Sequence, residues 1–124
     1  MAVSMNVTLR NNRLDQITAF AGTGAKLRVY TAAYAAVLYE STCAATLAAA
    51  AAGGVLTFNA VANATATGAG VAAIARLLKA DGTTVVLEGL TVGTSGTNIV
   101  ITNTTIAVND TVTTSGATIA EGNP

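Results

Sequence analysis

The sequence predicts a mainly β protein, an antiparallel β-sandwich for which the jelly roll is one candidate topology, with one short α-helix near the N-terminus. Three observations lead to this prediction. Short runs of alternating or β-branched residues recur along most of the chain, Gly, Asn and Asp separate them, and helical spacing is confined to one early stretch. A length of 124 residues fits a single domain, residues 1–124, built on one core.

The predicted helix spans about residues 12–21. Asn11 or Asn12 is a candidate N-cap, Asp15 would lie in the first turn where the helix dipole favours a negative charge, and Gly22 follows as a stop signal. The apolar positions at helical spacing are Leu14, Ile17 and Ala21. We expect this side of the helix to lie on a sheet.

After the helix the period changes to two. Leu27 and Val29 alternate with Lys26, Arg28 and Tyr30, which predicts a half-buried strand with a basic pair on its outward face. Residues 37–42 form a second predicted strand whose inward face the pattern leaves ambiguous. Alanine favours helix over residues 43–54, but this stretch has no charged face and lies between strands, so a loop and a short helix both stay open.

The remaining segments predict short strands joined by turns. Residues 55–58 form one strand, and residues 59–70 form a loop of small residues. Residues 71–79 and 83–88 are expected to form a hairpin, with Asp81-Gly82 as a type I′ turn. β-branched residues then dominate residues 98–119, which raises the expected total to seven or eight strands.

The composition bears on the partners of the protein. Hydrophobic residues make up 52% of the chain, but many are alanine, aromatics reach only 4%, and there is no Trp, so the core is thin and partner subunits are expected to add stability. Charged residues are 10% of the chain with a net charge of zero, which argues against nucleic acid as a partner. All six basic residues precede residue 80. This asymmetry either sets a polarity for docking or disappears as the two halves intermingle in the fold, and we favour the second interpretation.

The residue types argue against an enzyme. The chain has no His and a single cysteine, Cys43, so the usual general base, a thiolate metal site and an intrachain disulfide are all excluded. The carboxylates Asp15, Glu40, Asp81 and Glu88 fit structural roles, and Asp110 lacks the acidic spacing of a calcium site. We therefore predict no catalytic residues, no metal and no cofactor. Without a signal peptide or a membrane-spanning segment, we expect cytoplasmic synthesis and no membrane partner.

Three tyrosines lie within ten residues, beside the predicted basic pair. Tyrosine buries a large area while keeping a polar tip, so these residues could anchor an interface, although they could also cover the thin core. We favour the interface. The candidate interface residues are Lys26, Arg28, Tyr30, Tyr34 and Tyr39.

Six segments resemble, in order and spacing, a family of small virion proteins from tailed bacteriophages. They are LRNNRLDQI (9–17), LRVY (27–30), GGVLT (53–57), RLLKADGTTVV (76–86), VGTSG (92–96) and IAEGN (119–123). The resemblance is closest to the capsid cement, or decoration, proteins, which are typically jelly-roll sandwiches. One departure is the segment at residues 31–34, Thr-Ala-Ala-Tyr, which replaces an acidic or Pro-containing turn.

This resemblance implies a location and partners. The protein would be made in the cytoplasm of the bacterial host and would bind the major capsid protein on the capsid exterior of the virion, stabilising the shell. It would also associate with itself, as a homodimer rather than a trimer. Two alternatives stay open: a structural component of the tail, neck or fibre base, and a β-sandwich module that binds a small ligand or glycan.

Overall fold

The computed structural model describes residues 6–120, and in this range the protein is mainly β with one α-helix near the N-terminus, as predicted. Helix α1 spans Val7–Ala21, and a 3₁₀ turn spans Ala32–Tyr34. The strands are β1 (Lys26–Tyr30), β2 (Val37–Thr42), β3 (Val55–Thr57), β4 (Ala64–Thr65), β5 (Gly70–Val71), β6 (Ile74–Leu78), β7 (Val85–Gly93), β8 (Ile99–Ile101), β9 (Thr105–Ile106), β10 (Thr111–Val112) and β11 (Thr114–Ala120).

Seven of these strands form one curled sheet in the order β2-β1-β6-β7-β8-β11-β3. Neighbours are antiparallel except β7 and β8, which pair in parallel over two residues. Two small antiparallel ladders, β4–β10 and β5–β9, complete the fold. Because four strands belong only to these two-residue ladders, the strand total exceeds the predicted seven or eight. The jelly-roll topology stays a prediction.

The sheet, the helix and the small ladders share one core, and this core is thin. Eight of the 24 buried residues that form it are alanines. Its large, fully buried members include Leu14, Leu27, Leu47, Leu56, Leu77, Ile99 and Ile101. Since alanine buries little apolar area, these few large side chains and the hydrogen bonds contribute much of the stability of the fold.

The helix begins earlier than predicted. Asn6 is the N-cap, and its side-chain oxygen accepts from the backbone N–H of Thr8 at 2.8 Å, so neither Asn11 nor Asn12 caps the helix. The end at Gly22 and the inward positions of Leu14, Ile17 and Ala21 are confirmed. Asp15 therefore lies inside the helix rather than in its first turn.

The alanine-rich segment after β2 is a loop, one of the two predicted outcomes. Its backbone N–H groups find acceptors on the helix: Ala51 donates to Asp15 Oδ1 at 2.7 Å and Gly54 donates to Asn11 Oδ1 at 2.9 Å. Leu47 is fully buried within the segment. These tertiary contacts override the helix propensity of alanine, which is a weak preference.

The pairing of β1 with β2 identifies the inward face of β2. Tyr39 lies opposite Val29 and Ser41 lies opposite Leu27, so all four side chains point into the core. Glu40 lies opposite Arg28 on the outward face. The outward basic pair of β1 is confirmed, since Lys26 and Arg28 alternate with buried neighbours.

The predicted hairpin is present, but its turn is wider than a type I′ turn. Strands β6 and β7 are antiparallel, and the loop between them is closed by a hydrogen bond from the Lys79 N–H to the Thr84 carbonyl at 2.9 Å. Only Gly82 has a positive φ, 73°, whereas a type I′ turn needs two such residues. The Asp81 carboxylate instead organises the loop by accepting from the N–H groups of Thr83 and Thr84, both at 2.8 Å.

Strand β2 ends the sheet, and the chain covers its outer edge. The carbonyl oxygen of Leu38 accepts from the N–H groups of Thr67 and Gly68 at 2.9 and 3.1 Å, and the carbonyl oxygen of Thr42 accepts from Ala62. Such cover shields an edge from pairing with other chains. Gly68 is required here because a methyl group at its Cα would overlap the carbonyl oxygen of Val37.

Gly68→Ala should therefore destabilise the protein by about 1–3 kcal/mol, since the clash is with backbone that cannot rotate away. Gly116→Ala is the matched control, because no atom lies within 4 Å of its added methyl group and its φ is not positive. We expect the control to stay within about 0.5 kcal/mol of the unchanged protein. The measurement is the free energy of unfolding in urea, and equal values for the two variants would contradict the assignment.

The Asp81 loop should make stability depend on pH. Hydrogen bonds from the Thr84 hydroxyl and from the N–H groups of Thr84 and Thr83 lower the pKa of Asp81 well below its ordinary value. The charged form thus stabilises the folded state fully above about pH 5, and this contribution declines as the pH falls below about 4. Asp81→Asn should destabilise the protein at pH 7 and less at pH 3, and the difference should vanish only as the pH falls through the lowered folded-state pKa. A stability difference that stays the same at both pH values would show that the charge is not responsible.

Candidate protein-binding face

The outward side of strands β2, β1, β6 and β7 carries a cluster of tyrosine and charged side chains. We call it the tyrosine–arginine face and define it as Lys26, Arg28, Tyr30, Tyr34, Glu40, Arg76 and Glu88. Strand alternation places Arg28 and Arg76 directly opposite each other on β1 and β6. Four of the five predicted interface residues, Lys26, Arg28, Tyr30 and Tyr34, belong to this face.

At the centre of the face, Arg76 lies over two tyrosine rings. Its guanidinium carbon is 4.0 Å from the ring centroid of Tyr34 and 5.3 Å from that of Tyr30. The two rings meet edge to face with centroids 5.1 Å apart. Tyr30 is buried beneath this arrangement, at 6% exposure, while Tyr34 is half-buried. Each cation–π contact at such a site contributes about 0.5–1 kcal/mol.

Tyr34 reaches Arg76 from a strained turn. Ala33 and Tyr34 both adopt left-handed backbone conformations, with φ of 58° and 57°, which cost about 1–3 kcal/mol each in residues other than glycine. Around them, Thr31 accepts from Ala36 through its hydroxyl at 3.0 Å and donates to the Ala36 carbonyl through its N–H at 2.9 Å. The surrounding bonds hold the turn in a conformation that these residues rarely adopt.

A β-bulge in β7 provides the outer anchor for Tyr34. Ala75 pairs with Leu90 and Leu77 pairs with Leu87, so two residues, Glu88 and Gly89, lie opposite Arg76. Gly89 has a φ of 77°, and its N–H points away from the ladder to donate to the Tyr34 hydroxyl at 2.7 Å. The bulge therefore joins a strained turn to a strand 55 residues away.

The two arginines have different ionic partners. Arg28 donates from Nε to Glu40 Oε2 at 2.7 Å and from Nη2 to the Gly82 carbonyl at 3.2 Å. Arg76 Nε lies 3.3 Å from Glu88 Oε2, and this contact lacks the geometry of a hydrogen bond. The Glu88 side chain is 61% exposed, compared with 30% for Glu40. Arg28 thus makes two hydrogen bonds, whereas Arg76 Nε approaches its carboxylate without making one.

These ion pairs also bear on the uneven placement of charge along the chain. Arg76 belongs to the basic part and Glu88 to the acidic part, and the two meet on one face. Arg28 contacts both Glu40 and the carbonyl of Gly82, at the start of the acidic part. The charges of the two halves intermingle here, as we favoured.

Tyr39 is not part of the tyrosine–arginine face. It is fully buried on the opposite side of β2, and burial raises the pKa of Tyr39 to about 12. Its inward position follows from alternation, because Glu40 takes the outward position next to it. The prediction of Tyr39 as an interface residue is therefore wrong for this structure. Tyr39 instead packs in the core, in line with the alternative interpretation of the tyrosines. Burial likewise raises the pKa of Cys43 to about 11.

Sequence reasoning did not select Arg76, Glu40 or Glu88 as site residues. A signal existed for Arg76, since it is the single charged residue in β6. Its position over Tyr34 depends on the bulge and the strained turn, and neither has a local sequence pattern that identifies it.

A separate cleft of about 190 Å³ lies beside β9 and β10. It is lined by Thr102, Asn103, Thr105, Ile106, Asp110, Thr111 and Val112. Asn103 Oδ1 accepts from the Thr105 N–H and Asp110 Oδ2 accepts from the Ala107 N–H, so these side chains hold their own turns. Within residues 6–120, no three His, Cys, Asp or Glu residues are grouped so that they could hold a metal ion.

No protein-family model, curated protein or solved structure matches the chain. In the part of the chain that the structure describes, no helix is long and apolar enough to cross a membrane.

The strained turn gives a direct stability test. Ala33→Gly should stabilise the protein by about 0.5–1 kcal/mol, because glycine adopts a positive φ without the steric cost that alanine has there. The matched control is Ala32→Gly, the preceding exposed alanine, whose φ is not positive and which should lose about 0.5–1 kcal/mol. Thermal and urea unfolding would measure both. Destabilisation by both substitutions would contradict the strain at Ala33.

Proposed function

We propose that the protein is a structural component of a tailed-bacteriophage particle, a cement protein that binds the major capsid shell through the tyrosine–arginine face. The resemblance in six segments supports the class of protein. The arrangement of Tyr30, Tyr34 and Arg76 supports the binding face, because tyrosine and arginine are enriched among the residues that dominate binding energy at protein interfaces.

The observation that carries this proposal is the preorganisation of Tyr34. Its turn is strained at two residues, its hydroxyl is bonded to Gly89, and its ring is covered by Arg76. Ordering flexible side chains on binding costs about 0.5–1.5 kcal/mol each, and a face that is already ordered avoids most of this cost. Strain that the surrounding structure maintains is typical of functional sites.

The size of the domain is sufficient for such a role. A standard interface buries about 800 Å² on each partner, roughly an eighth of the 6213 Å² that this chain exposes. Self-association as a homodimer, which we also propose, would give two such faces on one particle-bound unit. Linked contacts on a lattice gain avidity even when each one is weak.

Immunogold electron microscopy of particles, with antibodies against this chain, tests the location. Label over the whole head is the expected result. Label confined to the tail or neck would contradict capsid binding and favour a structural role in the tail, neck or fibre base. Bare particles, despite protein in the lysate, would overturn the virion proposal and favour the ligand-binding alternative, for which the cleft beside β9 and β10 is the candidate site.

Binding to particles assembled without this protein tests the face. Tyr34→Ala should weaken binding roughly tenfold or more, as expected for a residue that contributes over 1.4 kcal/mol. Val108→Ala, at an exposed valine in the β9–β10 connection, is the control and should bind normally. Circular dichroism of both variants would verify folding. Normal binding by a folded Tyr34→Ala variant would exclude this face.

A further inference from the structure

The guanidinium of Arg76 lies against two tyrosine rings, but its Nε–H group is left unpaired among the described residues. The ring of Tyr34 covers its flat side at 4.0 Å, which leaves its N–H donors at the edge of the plane. The Nε atom is shielded from solvent and makes no hydrogen bond to any described residue. Shielded donors are nearly always paired in folded proteins, so an unpaired one calls for an explanation.

Glu88 is a weak partner for this donor. Its carboxylate approaches to 3.3 Å without hydrogen-bond geometry, and most of its side chain is in solvent. Exposed ion pairs of this kind contribute little to stability, so the loss of the contact costs little. The bulge places Glu88 beside Arg76 without fixing it there.

The neighbouring charges favour a second carboxylate at this position. Arg28 lies directly opposite Arg76, and like charges in such a pair repel each other. Glu40 is already bonded to Arg28 and lies near Lys26, at 3.8 Å, so it neutralises that side of the face. If Glu88 turns into solvent, Arg76 is left as a stacked cation without a counter-ion.

We infer that Arg76 receives an Asp or Glu carboxylate from the protein partner, and that Glu88 occupies this place in the free protein and is exchanged on binding. The planar fork of arginine matches a carboxylate with two parallel hydrogen bonds, an arrangement that Glu88 does not achieve. The inference rests on the proposed function only in taking the bound partner to be a protein.

The experiment is an NMR titration of the full chain with sodium glutarate, a small dicarboxylate, with sodium chloride at matched ionic strength as the reference. The Nε–Hε signal of Arg76 should shift with saturation in glutarate alone, and the signal of Arg28, already bonded to Glu40, should shift little. Removing the internal competitor in Glu88→Gln should tighten glutarate binding about two- to fivefold.

The amide of Gly89, which lies opposite Arg76 in the bulge, is the second signal to follow and should also shift in glutarate. Arg76→Lys should abolish this shift, because lysine lacks the planar fork. Equal shifts in glutarate and chloride, or no tightening in Glu88→Gln, would overturn the exchange. Saturation by inorganic phosphate at lower concentration than by glutarate would also overturn it, by identifying a phosphate site. The titration contains no capsid, so its outcome does not depend on the immunogold result. A failed titration with labelled heads would overturn the exchange alone, and a successful titration with bare particles would overturn the virion proposal alone.

Discussion

One extra residue in β7, opposite Arg76, determines how the outward side of the sheet is built. In a regular ladder the N–H groups of a strand lie in the plane of the sheet and point alternately to the two sides of the strand. The bulge at Glu88 and Gly89 turns the Gly89 N–H toward the Tyr34 hydroxyl and places the Glu88 carboxylate beside Arg76. The hydrogen bond that anchors the Tyr34 hydroxyl and the loose ion pair of Arg76 both depend on this irregularity.

Hydrogen bonds from polar side chains hold the loops against the thin core. Polar side chains, rather than large apolar ones, connect distant segments: Asp15 and Asn11 bind the alanine-rich loop, and Asp81 closes the β6–β7 connection. Asn98 accepts from the Thr91 N–H and donates to the Thr118 carbonyl, so it links β7 to β11 on either side of β8. Each bond has a modest net value, about 1 kcal/mol, but directional bonds specify positions that alanine contacts leave free.

The elements that could be predicted are those whose signal is local. The alternation of side chains was sufficient to predict β1 and the bounds of β2. Helical spacing was sufficient to predict which side of α1 faces the core. The helix start was not predicted because Asn6, Asn11 and Asn12 are equally good caps, and nothing apolar distinguishes the first turns. Positive φ at Ala33 and Tyr34 has no sequence signal, since both residues normally avoid it. The candidate site depends on that turn and on a long-range bulge, so its central residue, Arg76, was missed.

A thin core and a rigid face are physically connected in a protein that acts by binding. A partner that binds only the folded chain stabilises it by mass action, so stability missing from the core can be supplied by the complex. This requires that the binding face be ordered before contact, because otherwise the binding energy would be spent on ordering the face itself. In this chain the ordering comes from short-range devices, a strained turn and a hydroxyl bonded across a bulge, that need no additional apolar volume. Under the proposed function, a domain with few large side chains would in this way keep a well-defined surface for its partner.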